Sequence, residues 1–150
     1  MRSRLLLVGA LACLGGPLQA QAARELQVQG VVTATATRFI GGGVGFALRT
    51  AGRMRVGLMV SAGDMEGAVA GRGEALLSYH LSPFKRRGVT PYVGGGVAVT
   101  ATRDASEEYL LLVLGVESRP GSSAGWFAEA GVAGGVRVSL GFRLRQRSNR

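Results

Sequence analysis

The sequence predicts an all-β fold: eight antiparallel strands running up and down and closing into a barrel. Three observations carry this. Apolar and polar residues alternate with a period of two in eight successive stretches, the spacing that sends neighbouring side chains to opposite faces of a strand. The stretches are joined by short segments, most of them containing Gly, Ser or Pro, which suits hairpins and therefore antiparallel neighbours. The 25 glycines recur in clusters that disfavour helices. Closure removes both exposed edges of such a meander.

The elements follow in order. Glu25–Thr37 sets Leu26, Val28, Val32, Ala34 and Ala36 against Glu25, Gln27, Gln29, Thr33, Thr35 and Thr37, and residues 38–41 read as a turn. Gly42–Arg49 sets Val44, Phe46 and Leu48 against Gly43, Gly45, Ala47 and Arg49. After a hairpin at Thr50–Arg53, Met54–Ser61 sets Met54, Val56, Leu58 and Val60 against Arg55, Gly57, Met59 and Ser61. Gly63–Gly67 is the next turn. Ala68–Leu81 carries Val69, Ala75, Leu77, Tyr79 and Leu81 opposite Arg72, Glu74, Ser78 and His80.

A basic turn, Ser82–Val89, precedes Thr90–Ala101, where Val93, Val97 and Val99 oppose Tyr92, Gly94, Gly96 and Ala98. Beyond the loop Thr102–Ser106, Glu108–Ser118 is ambiguous: Leu110, Leu112, Leu114 and Val116 are apolar, but so are Leu111 and Val113 on the face that carries Glu117. Arg119–Gly125 holds Pro120, two Gly and two Ser, a strong turn signal. Trp126–Val132 sets Trp126, Ala128, Ala130 and Val132 against Phe127, Glu129 and Gly131. Ala133-Gly134-Gly135 then leads into Val136–Arg145, the clearest strand: Val, Val, Leu, Phe and Leu alternate with Arg, Ser, Gly, Arg and Arg.

The first 22 residues read as a cleavable signal peptide. Arg2 and Arg4 precede the apolar core Leu5–Leu14, and Ala20-Gln21-Ala22 offers a small-x-small cleavage site. The domain organisation is therefore signal peptide 1–22, barrel 23–145 and basic tail 146–150. Cys13 falls inside the signal, so the mature chain has no disulfide, thiolate metal site or cysteine nucleophile. With one histidine besides, no metal and no cofactor is expected. The glycine clusters are not followed by Gly-Lys-Ser/Thr or by a helix, which argues against a phosphate-binding loop. Removing Arg2 and Arg4 leaves 16 basic and 9 acidic residues, a net +7. Export argues against nucleic acid as the partner of that charge.

Either face of the barrel could meet water. The assigned apolar positions include no charged residue, whereas Glu25, Arg49, Arg55, Arg72, Glu74, Glu117, Glu129, Arg137, Arg143 and Arg145 share the other face with Gly, Ala and Ser. Small residues beside paired Arg and Glu suit a narrow interior, where each buried charge needs a partner. Tyr92, Trp126, Tyr79, Tyr109 and Phe39 lie near strand ends, as interfacial girdles do. These features favour apolar residues facing lipid. The alternative is a soluble, periplasmic, lipocalin-like barrel that binds an apolar ligand inside.

With Gly41-Gly42-Gly43-Val44-Gly45-Phe46, Pro91-Tyr92-Val93-Gly94-Gly95-Gly96-Val97 and the final Gly141-Phe142-Arg143-Leu144, the chain resembles the small eight-stranded bacterial outer-membrane barrels of the OmpA/OmpX type. The resemblance implies a cell outer-membrane location in a Gram-negative bacterium, with contacts to membrane lipid and to the outer-membrane assembly machinery. It also implies periplasmic termini, which makes Thr50–Arg53, Ser82–Val89 and Arg119–Gly125 periplasmic turns. Members usually end on an aromatic residue; here Gln146–Arg150 follows, and Phe142 is the candidate for that role. A monomer is expected.

Arg49, Arg55, Arg72, Glu74, Glu117, Glu129, Arg137 and Arg143 are the candidate lumen charge network, structural rather than catalytic. A barrel of eight strands leaves an interior just wide enough for side chains, so a plugged lumen is preferred to an open pore. His80-Leu81-Ser82 resembles the His and Ser of lipid A deacylases, but Ser82 precedes Pro83 in a turn on the periplasmic side. No catalysis is expected. Lys85-Arg86-Arg87 suits contact with anionic headgroups or a solvated turn equally.

Overall fold

The structure is a computed structural model and describes residues 23–34, 37–50 and 52–146. The expected signal peptide 1–22 with Cys13, the expected strand positions Thr35 and Ala36, and tail residues 147–150 lie outside the described residues.

The strands are β1 Ala23–Ala34, β2 Arg38–Arg49, β3 Met54–Met65, β4 Ala68–His80, β5 Val89–Ala101, β6 Ser106–Ser118, β7 Ala124–Val132 and β8 Val136–Gln146. They form one closed sheet in sequence order. β8 returns to β1 antiparallel, with Leu26 opposite Leu144 and Val32 opposite Val138. The start of β1, the end of β8 and the β2–β3, β4–β5 and β6–β7 connections share one end of the barrel, the terminal end. The remaining connections form the far end. Strands of 9 to 13 residues match the length a tilted strand needs to cross hydrocarbon.

The two faces are inverted relative to a water-soluble barrel. Valines, leucines and Phe142 stand outward, with Val60 67% and Leu114 69% exposed. Arginines, glutamates and the only histidine are buried inside. The soluble-barrel alternative requires the opposite arrangement and is excluded. Charge does reach the outer face, but only near strand ends, at Arg24, Arg38, Asp64 and Glu108.

Several boundaries differ from the sequence reading. Residues 38–41 are not a turn but the start of β2, because Phe39 enters the lumen and packs with Val31 and Ala70. β3 continues to Met65. Its two-residue hairpin, Glu66-Gly67, has positive φ at both positions (55° and 83°), the type I′ geometry that follows strand twist. Asp64 supports it by accepting a hydrogen bond from the Gly67 N–H at 3.1 Å.

The aromatic girdle is thinner than expected. Tyr79 and Trp126 face outward near the terminal end, but Phe39 and Tyr92 are buried in the lumen. Tyr109 packs from the lumen side against Ala98, Leu111, Val113 and Ala133, and its hydroxyl donates to Glu107. The lumen is thus not polar throughout: two apolar clusters occupy its far half.

Bulky lumen side chains fit only where the opposing wall is bare. A Cβ at Gly115 would overlap the Tyr92 ring, and one at Gly141 the Phe127 ring. Gly115→Val is expected to destabilise the barrel by about 1–3 kcal/mol through overpacking, read as a lower urea midpoint after reconstitution. An unchanged midpoint would mean that the ring moves aside freely.

Candidate functional site: the charged lumen

Alternation fixes which side chains enter the lumen, and closure brings together residues far apart in sequence. Near the terminal end lie two carboxylates, Glu25 of β1 and Glu117 of β6, each 0% exposed. Arg49 bridges them, donating from Nε to Glu25 at 2.9 Å and from Nη2 to Glu117 at 2.9 Å. Arg145 donates to Glu25 at 2.9 Å and Arg143 to Glu117 at 3.1 Å. Arg55 lies 3.7 Å from Glu25 and 3.6 Å from Glu117, with its guanidinium 5.0 Å from the centre of the Tyr92 ring, within cation–π range. Arg143 also donates to the carbonyls of Ser118, Arg119 and Ser122, at 3.2, 2.8 and 3.3 Å. It therefore anchors the β6–β7 connection.

Midway along the lumen is a second group. Arg137 grips Glu74 with two prongs, Nε to Oε1 at 2.9 Å and Nη2 to Oε2 at 2.6 Å. Its Nη1 donates to Glu129 at 2.8 Å. Arg72 donates to Glu74 at 2.7 Å and to Thr100 at 2.9 Å, and Ser139 donates to Glu129 at 3.0 Å. The planar fork of arginine suits such bidentate pairing.

Tyr92 joins the two groups. Its hydroxyl donates to Glu129 at 2.7 Å, and its ring stacks on His80 at 4.5 Å. The midway group balances two arginines against two glutamates, whereas the terminal group sets four arginines against two.

Arg49, Arg55, Arg72, Glu74, Glu117, Glu129, Arg137 and Arg143 all point into the lumen, and ion pairs connect them within these two groups. The candidate set omitted Glu25, Arg145, His80 and Tyr92, which are equally part of the arrangement. All four stand on the lumen face by strand parity, the one signal that identifies them.

His80 differs from its sequence reading in one respect: its hydroxyl partner is Ser78, not Ser82. Ser78 Oγ lies 3.1 Å from His80 Nε2, and His80 Nδ1 lies 2.8 Å from Glu117. Ser82 sits in the exposed turn. Ser78, His80 and Glu117 therefore have the serine–histidine–carboxylate order of a hydrolase triad. Their surroundings do not suit that chemistry. Ser78 is 1% exposed and the other two 0%, and Glu117 is already shared by Arg49 and Arg143. Ser78 also lies 3.4 Å from the Arg55 carbonyl. The three side chains are enclosed in the lumen wall.

No protein-family model matches the sequence, and no curated protein is significantly similar to it. Solved structures do match the fold, which is that of the eight-stranded transmembrane barrels. The N-terminal β-barrel domain of Pseudomonas aeruginosa OprF superposes with a TM-score of 0.61 at 14% identity, covering 84% of this chain and 100% of that one. Neisserial surface protein A matches with a TM-score of 0.56 at 12% identity, over 82% of this chain and 96% of that one. A de novo designed transmembrane β-barrel matches with a TM-score of 0.56 at 18% identity, over 87% and 100%. At these identities the likeness is one of fold.

A fluorophosphonate reagent is expected to leave the folded protein unlabelled, with intact-mass spectrometry as the readout. Adduct formation that Ser78→Ala abolishes would show instead that the buried relay is reactive.

Proposed function

We propose that this chain is an integral outer-membrane barrel with a structural or surface role, its lumen plugged by the Arg/Glu network and carrying out no catalysis. The observation that carries this reading is the lumen itself. From Glu25 through Arg49, Glu117, His80, Tyr92 and Glu129 to Arg137 and Glu74, each group contacts the next. The apolar clusters of Phe39, Val31 and Ala70, and of Leu111, Val113 and Ala98, fill the far half. Ions crossing such an interior would have to break buried ion pairs.

The outer face supports membrane insertion, since its apolar belt continues around all eight strands. The barrel is expected to be a monomer. The signal peptide directs export, and Phe142, 67% exposed on the outer face of β8, is the aromatic residue read by the assembly machinery.

Fractionated cells test the location: the protein is expected in the outer-membrane fraction and should change gel mobility on boiling. Recovery only in the soluble periplasmic extract would sink the proposal. In planar bilayers the purified barrel should give no steady channel steps; a persistent open conductance would overturn the plug. Glu74→Ala leaves the guanidinium of Arg137 with Glu129 as its one remaining carboxylate. It is expected to cost about 3–5 kcal/mol in unfolding free energy, as loss of one partner of a buried pair does. An unaffected urea midpoint would show that the network contributes little to stability.

A further inference from the structure

The two ends of the barrel carry opposite charge. All five exposed carboxylates, Asp64, Glu66, Asp104, Glu107 and Glu108, lie at the far end; the other four acidic residues of the chain are buried in the lumen. The terminal end presents Arg24, Arg53, Lys85, Arg86, Arg87 and Arg119, all exposed, and among the described residues no exposed carboxylate accompanies them. The β4–β5 connection, residues 81–88, is the longest in the described chain and contributes half of these cations.

We propose that the terminal end is a binding collar for the headgroups of anionic glycerophospholipids in the adjoining leaflet. Three observations point to lipid rather than to a soluble polyanion. First, the cations begin where the apolar belt ends. Leu81 opens the connection and Val89 follows it, and Phe84, 67% exposed, stands next to Lys85, so apolar side chains can enter the acyl region while their neighbours meet phosphate. Second, an outward aromatic shares this level: Arg53 donates to the Tyr79 hydroxyl at 3.2 Å, the arrangement of an interfacial ring held beside a headgroup-level charge.

Third, the surface is fixed by the fold. The β4–β5 and β6–β7 connections are tied by hydrogen bonds from Gly121 N to the Lys85 carbonyl at 2.9 Å and from Arg119 N to the Gly88 carbonyl at 2.8 Å. Ser122 Oγ donates to the Arg86 carbonyl at 3.4 Å. Between them lies a recess of about 270 Å³ lined by Arg86, Gly121, Ser122 and Ser123. The Arg86 guanidinium and the Ser123 hydroxyl are donors of the kind a phosphodiester accepts from, beside a Ser122 hydroxyl already given to the Arg86 carbonyl. The lumen reinforces the field, because the excess of buried arginine over glutamate also lies at this end.

The inference rests on the proposed membrane insertion, and one residue reports on both. Trp126 is the only tryptophan and faces outward near the terminal end. The full barrel would be reconstituted into vesicles containing either brominated phosphatidylglycerol or brominated phosphatidylcholine at equal mole fraction, and quenching of Trp126 fluorescence followed. The expected result is an apparent association constant for phosphatidylglycerol on the order of fivefold above that for phosphatidylcholine. The preference should fall to about onefold in the Lys85→Ser/Arg86→Ser/Arg87→Ser variant and weaken in high salt. A second variant, Arg24→Gln/Arg53→Gln, should reduce it in part, which covers the case in which the triple substitution misfolds. Equal quenching by the two lipids, or a preference that survives both variants, would overturn the collar while leaving membrane insertion standing. No quenching by either lipid would remove both.

Discussion

Closure of β8 onto β1 is the constraint on which the rest depends. Hydrocarbon offers a backbone N–H or C=O no partner, and each one left open costs several kcal/mol, so a sheet in lipid must meet itself. Closing at eight strands fixes a lumen so narrow that side chains must fill it. The sequence answers with large groups facing glycines: Tyr92 lies over Gly115 and the Phe127 ring over Gly141. Charges in that space meet opposite charges, Arg137 with Glu74 and Glu129, and Arg49 with Glu25 and Glu117, although the terminal group keeps two arginines in excess.

Most of the strand content was legible because lipid imposes a strict rule on one face only. Val136–Arg145 shows it best: every other residue is apolar, and those residues stand outward. Charges that recur at even spacing, such as Arg72 with Glu74, mark the inner face from sequence alone. What was not legible lies where the rule is silent. The lumen accepts apolar residues as readily as paired charges, so Val31, Leu111 and Val113 carried no parity signal of their own. Phe39 resembled a turn residue because Gly41 to Gly43 follow it, yet those glycines continue β2.

The candidate site was readable as a set of residue types on one face, not as a set of partners. Ser78 and His80 are two apart on one strand, so their contact follows from parity. That Glu117, 37 residues further on, completes the row depends on the register of β4, β5 and β6, which no local pattern encodes. Tyr92 illustrates the same limit. A tyrosine near a strand start suits an interfacial belt, and only the arrangement of Glu129, Arg55 and His80 around it shows why it turns inward.

Arg143 and Arg145 sit on the last strand, yet the carboxylates they meet belong to β1 and β6. Until β8 docks, Glu25 lacks Arg145 and Glu117 lacks Arg143, and the carbonyls of Ser118, Arg119 and Ser122 lack the donor that gathers them. A sheet lacking β8 would leave those carbonyls without their donor and the two carboxylates with Arg49 and Arg55 as their only arginines. Closure of the sheet and pairing of its charges are therefore tied together: the strand that meets β1 to complete the barrel also brings Arg143 and Arg145 to the carboxylates of β6 and β1.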